Sequence, residues 1–119
     1  MKEYKLGVME TKFASIIWDN APIPSGELVK LCEKELDWKK STTYTMLRRL
    51  CERGIFENRY GEVSVLLTRQ AFQALQSEQF INETFDGSLP QFLTTFATRA
   101  KFTENEIEAL QKIINQHKG

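Results

Sequence analysis

The chain has 119 residues with sixteen basic and sixteen acidic side chains, and its 41% of hydrophobic residues exclude wholesale disorder. No apolar run reaches the roughly 20 residues that span a bilayer, and residues 1–12 lack the apolar stretch of a signal peptide. We therefore expect a soluble, cytoplasmic protein of one domain, or of a small domain with an oligomerising appendage.

The first part of the chain predicts two helices. Apolar residues recur at helical spacing from Leu6 to Ile17, which predicts a helix over about residues 7–20. The two prolines of the segment that follows end this helix. Ser25 is then expected to cap a second helix that ends at about residue 36, because its hydroxyl can accept bonds from early backbone N–H groups.

A third helix is predicted over about residues 40–53, with Thr43, Met46, Leu47 and Leu50 on its core-facing side, and the pattern then changes to strands. Gly54 follows this helix, where a C-terminal cap favours left-handed geometry. Residues 55–59 and 63–67 flank a turn at Tyr60-Gly61 and predict a short β-hairpin. Three helices followed by a hairpin are typical of a winged helix-turn-helix.

Three more helices are predicted beyond this hairpin, over about residues 69–84, 89–99 and from 103 onward. The last has the clearest local signal, a capping box from Thr103 to Glu106 with Phe102 and Ile107 placed as a hydrophobic staple. The predicted fold class is therefore mostly α with a small β-hairpin. A winged-helix DNA-binding domain (residues 1–68) precedes a three-helix dimerisation domain (residues 69–119).

The C-terminal helices each carry an apolar stripe that about 50 residues cannot easily bury alone. Burial against a second copy would give a homodimer, and two copies would let a small DNA reader bind two half-sites. The alternative is a compact monomer in which these helices fold back on the winged domain. The residues expected in the dimer interface are Phe80, Phe85, Leu89, Phe92, Leu93, Phe96, Ile107, Leu110, Ile113 and Ile114.

The neutral net charge conceals an uneven layout. Residues 38–60 hold six basic and two acidic side chains, whereas the segments on either side each hold five basic and seven acidic ones. Any contact with a polyanion is therefore expected near residues 38–60. A basic, solvated helix face without a partner is the alternative.

The third helix carries the residues that suit DNA recognition. Short hydroxylated side chains near its start can approach base edges, and later arginines reach phosphate or guanine. Its N-terminus also favours phosphate, and the hairpin tip would meet the backbone or the minor groove. The candidate DNA-binding residues are Lys39, Lys40, Ser41, Thr42, Tyr44, Thr45, Arg48, Arg49, Arg59 and Tyr60.

Each of these residues also has a purely structural interpretation. Ser41 or Lys40 would cap the helix, and Tyr44 would pack against the hairpin. Two arginines would pair with nearby carboxylates, Arg49 or Arg53 with Glu52 or Glu57.

The segment from Trp38 to Gly54, with its Thr-Thr-x-Thr-x-Leu-x-Arg-Leu pattern, resembles the recognition helix of the penicillinase and methicillin-resistance repressor family. The likeness extends to Glu10–Trp18 and to the tail from Phe80 to Ile114, and the family includes copper-responsive relatives. It implies a homodimeric winged-helix repressor of an inverted repeat with TACA/TGTA half-sites. Thr42 and Thr45 would face bases. Lys39-Lys40 departs from the Ser-Pro or small-residue start that members often carry.

The resemblance also implies how such a repressor is switched. In the β-lactam branch a membrane sensor protease triggers cleavage at an Asn-Phe bond, and the matching bond here is Thr95–Phe96. Phe96 matches the pattern and Thr95 does not, so Phe96 as an interface core residue is the alternative. The copper branch binds the metal through a C-terminal cysteine cluster. Cys32 and Cys51 instead fall among apolar helix positions, so no metal or other cofactor is expected.

Two other classes of protein remain as alternatives. An enzyme is disfavoured because the sequence has no GxGxxG, P-loop or HExxH motif, and its single histidine, His117, lies near the C-terminus. A winged helix that binds another protein without touching DNA would need a neutral or apolar third helix. The third helix here is basic and rich in hydroxyl groups.

Overall fold

The structure is a computed structural model that describes residues 3–118. These residues form six helices and three short strands, which confirms the predicted mostly helical, winged-helix class. The elements are α1 (Val8–Asn20), β1 (Ile23–Pro24), α2 (Ser25–Leu36), α3 (Lys40–Glu52), β2 (Phe56–Arg59), β3 (Glu62–Val65), α4 (Arg69–Thr84), α5 (Leu89–Ala97) and α6 (Glu104–Gln116). The chain divides into two compact units, the first ending at Gln79 and the second beginning at Phe80.

The predicted hairpin is the β2–β3 pair, and a third strand joins it. β3 lies in the middle of an antiparallel sheet of order β1-β3-β2, with Ile23 opposite Val63. β1 was not predicted, because two residues of which one is a proline carry no strand pattern of their own. The added strand fastens the loop before α2 to the turn end of the hairpin, because Pro24 lies opposite Glu62.

One hydrophobic core joins α1, α2, α3, the sheet and the start of α4 in the first unit. Trp18 lies at its edge, with ring centroids 5.4 Å from Phe56 and 5.7 Å from Phe72, and its indole N–H donates to the Leu67 carbonyl at 3.0 Å. The largest fully buried side chains are Phe13, Phe56, Ile17, Leu28, Leu47, Leu50, Ile55 and Val63. Because α3 contributes two of these leucines, the core fixes which face of α3 meets solvent.

The thiol of Cys32 is fully buried in this core, and burial raises its pKa to about 11. The thiolate is the reactive form, so native Cys32 is expected to react with iodoacetamide at pH 8 about a hundredfold or more slowly than an ordinary cysteine. Peptide mass spectrometry over time measures this rate, and the denatured chain serves as the control. Fast labelling of Cys32 in the native protein would contradict the buried position.

Two sequence predictions about helix starts have opposite outcomes. The capping box of α6 is confirmed, since Thr103 Oγ1 accepts from the Glu106 N–H at 3.1 Å and Glu106 Oε1 accepts from the Thr103 N–H at 2.8 Å. Ser25 as the cap of α2 was wrong. Pro24 is the capping residue, and the Ser25 hydroxyl lies 3.0 Å from the Tyr44 hydroxyl instead.

Arg53 binds the N-terminal segment and not the carboxylates next to it in sequence. Its guanidinium donates to the carbonyls of Glu3 and Lys5, the latter at 2.8 Å, and lies 3.9 Å from Glu10. Pairing with Glu52 or Glu57 was therefore wrong for this residue. Carbonyls that converge from a distant segment offer a more complete set of acceptors than one exposed carboxylate.

In the second unit α5 ends at Ala97, two residues before the predicted end, with the Thr98 N–H bonded to the Thr95 carbonyl. Phenylalanine rings form a chain of contacts at centroid distances of 5.4–6.1 Å, through Phe80, Phe85, Phe92, Phe96 and Phe102. Across residues 3–118, no helix is long and apolar enough to cross a membrane.

Candidate nucleic-acid interface

The helix α3 has one face in the core and the other in solvent. Thr43, Leu47 and Leu50 are buried, as the sequence predicted, and Met46 is partly buried. Thr45 and Tyr44 are half-buried at the border between the faces. The exposed residues of α3 and its cap include Lys39, Lys40, Ser41, Thr42, Arg48 and Arg49. Six of the ten candidate DNA-binding residues therefore lie in solvent on this one element.

The start of α3 carries two lysines and backbone N–H groups that have no acceptor inside the helix. Lys39 is the capping residue and makes no side-chain cap bond, and Ser41 does not cap the helix either. The first backbone bond of the helix runs from the Thr43 N–H to the Lys39 carbonyl at 3.1 Å. The N–H groups before Thr43 therefore have no acceptor inside the helix, which favours an anion at this end.

The hairpin turn holds a large aromatic residue in an unfavourable backbone conformation. Tyr60 and Gly61 both have positive φ, 52° and 82°, which is the pattern of a type I′ turn. Glycine adopts this conformation readily, whereas a bulky residue does so at a cost. The ring of Tyr60 is fully exposed and gains no packing in return.

Arg59 precedes this turn at the end of β2. Its guanidinium donates to Glu57 Oε1 at 2.8 Å, although its side chain stays 72% exposed. From the sequence, Glu57 was a possible partner of Arg49 or Arg53, whereas in the structure it pairs with Arg59. Arg59 is thus held beside the turn while most of its surface remains available to a ligand.

A cleft of about 440 Å³ separates α3 from β2. Its lining residues are Tyr44, Thr45, Leu47, Arg48, Cys51 and Asn58. Three of these are candidate DNA-binding residues on successive turns of α3, which the structure brings together with an amide from the hairpin.

Asn58 and Cys51 were missed by sequence reasoning. Asn58 follows the buried Phe56 by two positions in β2, so strand alternation places both side chains on the same face of the sheet. Phe56 lies in the core on this face, whereas Asn58 is exposed at the edge of the core. That change from apolar to polar on one strand face is the signal that could have found it. Burial raises the pKa of the Cys51 thiol. The Asn58 backbone N–H lowers this pKa in part, and the carboxylates of Glu57 and Glu52 raise it further.

Tyr44 is held in place by a contact from another helix. Its hydroxyl lies 3.0 Å from Ser25 Oγ at the start of α2, and the Ser25 N–H donates to the Gly61 carbonyl at 2.8 Å. Ser25 therefore connects α3 to the hairpin turn. Tyr44 also lines the cleft, so this contact helps to position one of its walls.

A different surface, the apolar face of the second unit, lies on α5 and α6. No residue of either helix is buried. Phe96, Ile113 and Ile114 are 48%, 52% and 59% exposed. Of the other predicted interface residues, Phe80, Leu89 and Ile107 are exposed, and those half-buried are Phe85, Phe92, Leu93 and Leu110. This apolar face includes a cleft of about 310 Å³ between α5 and α6.

The bond between Thr95 and Phe96 lies inside α5, and both side chains are exposed. The Thr95 carbonyl accepts from the Thr98 hydroxyl at 2.7 Å. A protease that binds its substrate in extended form would therefore have to unwind the last turn of α5 to reach this bond.

Within the described part of the chain, no group of three or more histidine, cysteine, aspartate or glutamate side chains is arranged to hold a metal ion. Cys32 lies in the core, and Cys51 lies half-buried at the cleft. His117 is exposed beyond α6, with Nδ1 2.9 Å from the Ile113 carbonyl.

Comparisons with known proteins agree on one family. The family model described as "Penicillinase repressor" matches residues 6–116. The chain is 24% identical to the methicillin resistance regulatory protein MecI of Staphylococcus aureus, over 97% of both chains. It is 26% identical to the penicillinase repressor of Bacillus licheniformis, over 92% of this chain and 89% of the relative. The matches span both compact units.

Proposed function

Because the chain belongs to the penicillinase repressor family, we propose that it represses transcription by binding an inverted-repeat DNA operator as a homodimer. The observation that carries this proposal is the solvent face of α3, where hydroxyl groups and basic side chains lie together beside a hairpin. Its relatives are named as repressors and regulatory proteins, which supports a regulatory role and not an enzymatic one.

In this proposal α3 lies in the major groove of DNA. Thr42 and Thr45 face the bases, with Ser41 and Tyr44 beside them. Phosphates are bound by Lys39 and Lys40 at the start of the helix and by Arg48 and Arg49 farther along it. Arg59 and Tyr60 reach the backbone or the minor groove at the hairpin turn.

The homodimer forms through the apolar face of the second unit. Complete burial of an exposed leucine or isoleucine side chain contributes about 1.5–3 kcal/mol, and a two-fold interface counts each residue twice. The exposed phenylalanine and isoleucines of α5 and α6 therefore favour association of two copies. Two linked winged domains then read two half-sites, expected as TACA and TGTA.

Relief of repression by cleavage at Thr95–Phe96 is part of the same proposal. A cut there would divide α5 and remove part of the dimer surface, so each winged domain would bind its half-site alone. Losing the link between two binding modules lowers affinity by orders of magnitude. The signal would come from a membrane sensor protease.

Selection of bound duplexes from a randomised library tests the proposed function. Successive rounds with the full-length protein should enrich a two-fold symmetric motif with TACA and TGTA half-sites. The half-site centres should lie a whole number of helical turns apart, about 10 base pairs each. An unenriched pool would overturn the repressor and favour a winged helix that binds another protein.

Exchange of Tyr60 for asparagine separates stability from binding. Asparagine tolerates positive φ, so Tyr60→Asn is expected to raise the free energy of unfolding by about 0.5–1 kcal/mol. Loss of the exposed ring is expected to weaken affinity for the selected duplex severalfold. Urea unfolding and fluorescence anisotropy measure the two effects, with Tyr60→Phe as the control for the hydroxyl. Unchanged affinity would remove Tyr60 from the interface.

A further inference from the structure

We propose that the cleft between α3 and β2 takes a phosphodiester of the DNA backbone, and that Asn58 is a DNA-binding residue. This inference rests on the proposed function and deepens it. It assigns an occupant to the cleft and a role to a residue that the sequence motif does not include.

The walls of the cleft carry hydrogen-bond donors suited to a phosphate. The lining includes Arg48 and Thr45 of α3 and Asn58 of β2, whose side chains carry a guanidinium, a hydroxyl and an amide. Phosphate oxygens accept bonds from all three groups, and arginine binds them through two parallel bonds. Among residues 3–118, no carboxylate lines the cleft.

The charge near the cleft also suits an anion. The neighbouring Glu57 alternates to the other face of β2 and is bound by Arg59 at 2.8 Å, which offsets its charge. Glu52 is exposed near the end of α3. Arg48 is exposed as well, so its charge is available to a ligand in the cleft.

The size and position of the cleft favour the sugar-phosphate backbone of DNA as its ligand. Its volume of about 440 Å³ equals that of about fifteen molecules of liquid water, enough for a phosphodiester and its adjacent sugars. With α3 in the major groove and the hairpin turn at the minor groove, the strand between the two grooves must pass between α3 and β2.

Two features make the cleft a preformed site. The hydrogen bond between the Tyr44 and Ser25 hydroxyls fixes the tyrosine wall, and the pairing of Asn58 with Val63 fixes the opposite wall in the sheet. Ordering the donors before binding lowers the entropy lost on contact with DNA.

A pair of matched variants tests the role of Asn58. Asn58→Asp places a negative charge at the proposed phosphate, whereas Ser64→Asp adds the same charge on the hairpin, in the register of Glu57 and on the other face. For the selected duplex, Asn58→Asp is expected to weaken binding about thirtyfold or more, and Ser64→Asp at most about threefold. Asn58→Ala should weaken it about tenfold at every sequence, because a phosphate contact carries no sequence information.

Neutral methylphosphonates placed singly along the duplex identify the phosphate. At one position in each half-site, the methylphosphonate should weaken binding of the duplex to the wild-type protein. The same methylphosphonate should weaken binding to Asn58→Ala little further. Inorganic phosphate should displace the duplex no better than chloride at equal ionic strength. Thermal unfolding of each variant controls for folding.

Three results would overturn the inference while leaving the repressor intact. These are equal losses for Asn58→Asp and Ser64→Asp, strictly additive losses at every methylphosphonate, and specific displacement by inorganic phosphate, which would make the cleft a site for the free anion. Failure of the wild-type protein to discriminate the selected duplex would overturn the proposed function itself.

Discussion

Arg48→Glu is expected to lower the affinity of the dimer for its operator by about a thousandfold. A contact from one arginine is worth about 1–3 kcal/mol, and the dimer loses it twice and gains a repulsion each time. Arg48 is exposed on α3, makes up one side of the cleft and contributes to no core contact that its loss would break. The loss should therefore appear in binding and not in the thermal midpoint.

The salt dependence of binding identifies what Arg48 contacts. If it binds phosphate, the slope of log affinity against log salt should become shallower by about two per dimer, with the preference for sequence unchanged. Arg48→Lys keeps the charge but loses the two parallel bonds, so it should retain more of the affinity than Arg48→Glu and less than the wild-type protein. Lys12→Glu, the same reversal at an exposed position of α1, is the matched control. Equal effects of Lys12→Glu and Arg48→Glu would contradict a specific contact at α3.

Ile113→Asp is expected to convert the dimer to a monomer and to weaken operator binding at least a hundredfold. Ile113 is 52% exposed on α6, so a charge there costs the single chain little. In a dimer the same position would bury a charge on each copy, which is far more costly than the lost apolar contact. Separation of the copies removes the effective concentration that links the two half-sites.

Sedimentation velocity and anisotropy measure these two losses on the same sample. Gln111→Asp adds the same charge on the polar, exposed side of α6 and should leave both mass and affinity near their wild-type values. Binding of Ile113→Asp to an isolated half-site should stay close to that of the wild-type protein. A dimer that survives Ile113→Asp would place the interface elsewhere on the chain.

The sequence predicted those parts of the fold that depend on neighbours along the chain. The capping box of α6 joins residues three positions apart, and the positive φ of Gly54 follows from the end of α3 just before it. The apolar stripe of α3 likewise identified the buried Thr43, Leu47 and Leu50. In each case the decisive interaction lies within one or two helical turns.

What the sequence could not predict depends on distant partners. β1 exists because Ile23 pairs with Val63, and Arg53 binds carbonyls about fifty residues away in the chain. The Ser25 hydroxyl contacts Tyr44 on another helix, although its place before α2 favoured a cap. Asn58 joins the candidate site through the packing of β2 beside α3, which no motif in one segment records.

Fluorescence anisotropy measures whether the protein recognises a DNA sequence. The wild-type protein is titrated into the selected duplex and into a scrambled duplex of the same composition, over a series of salt concentrations. A repressor that recognises its operator should bind the selected duplex tightly, prefer it at least a thousandfold over the scrambled one, and lose affinity steeply with salt. Weak binding that is equal for both duplexes would contradict the proposed function.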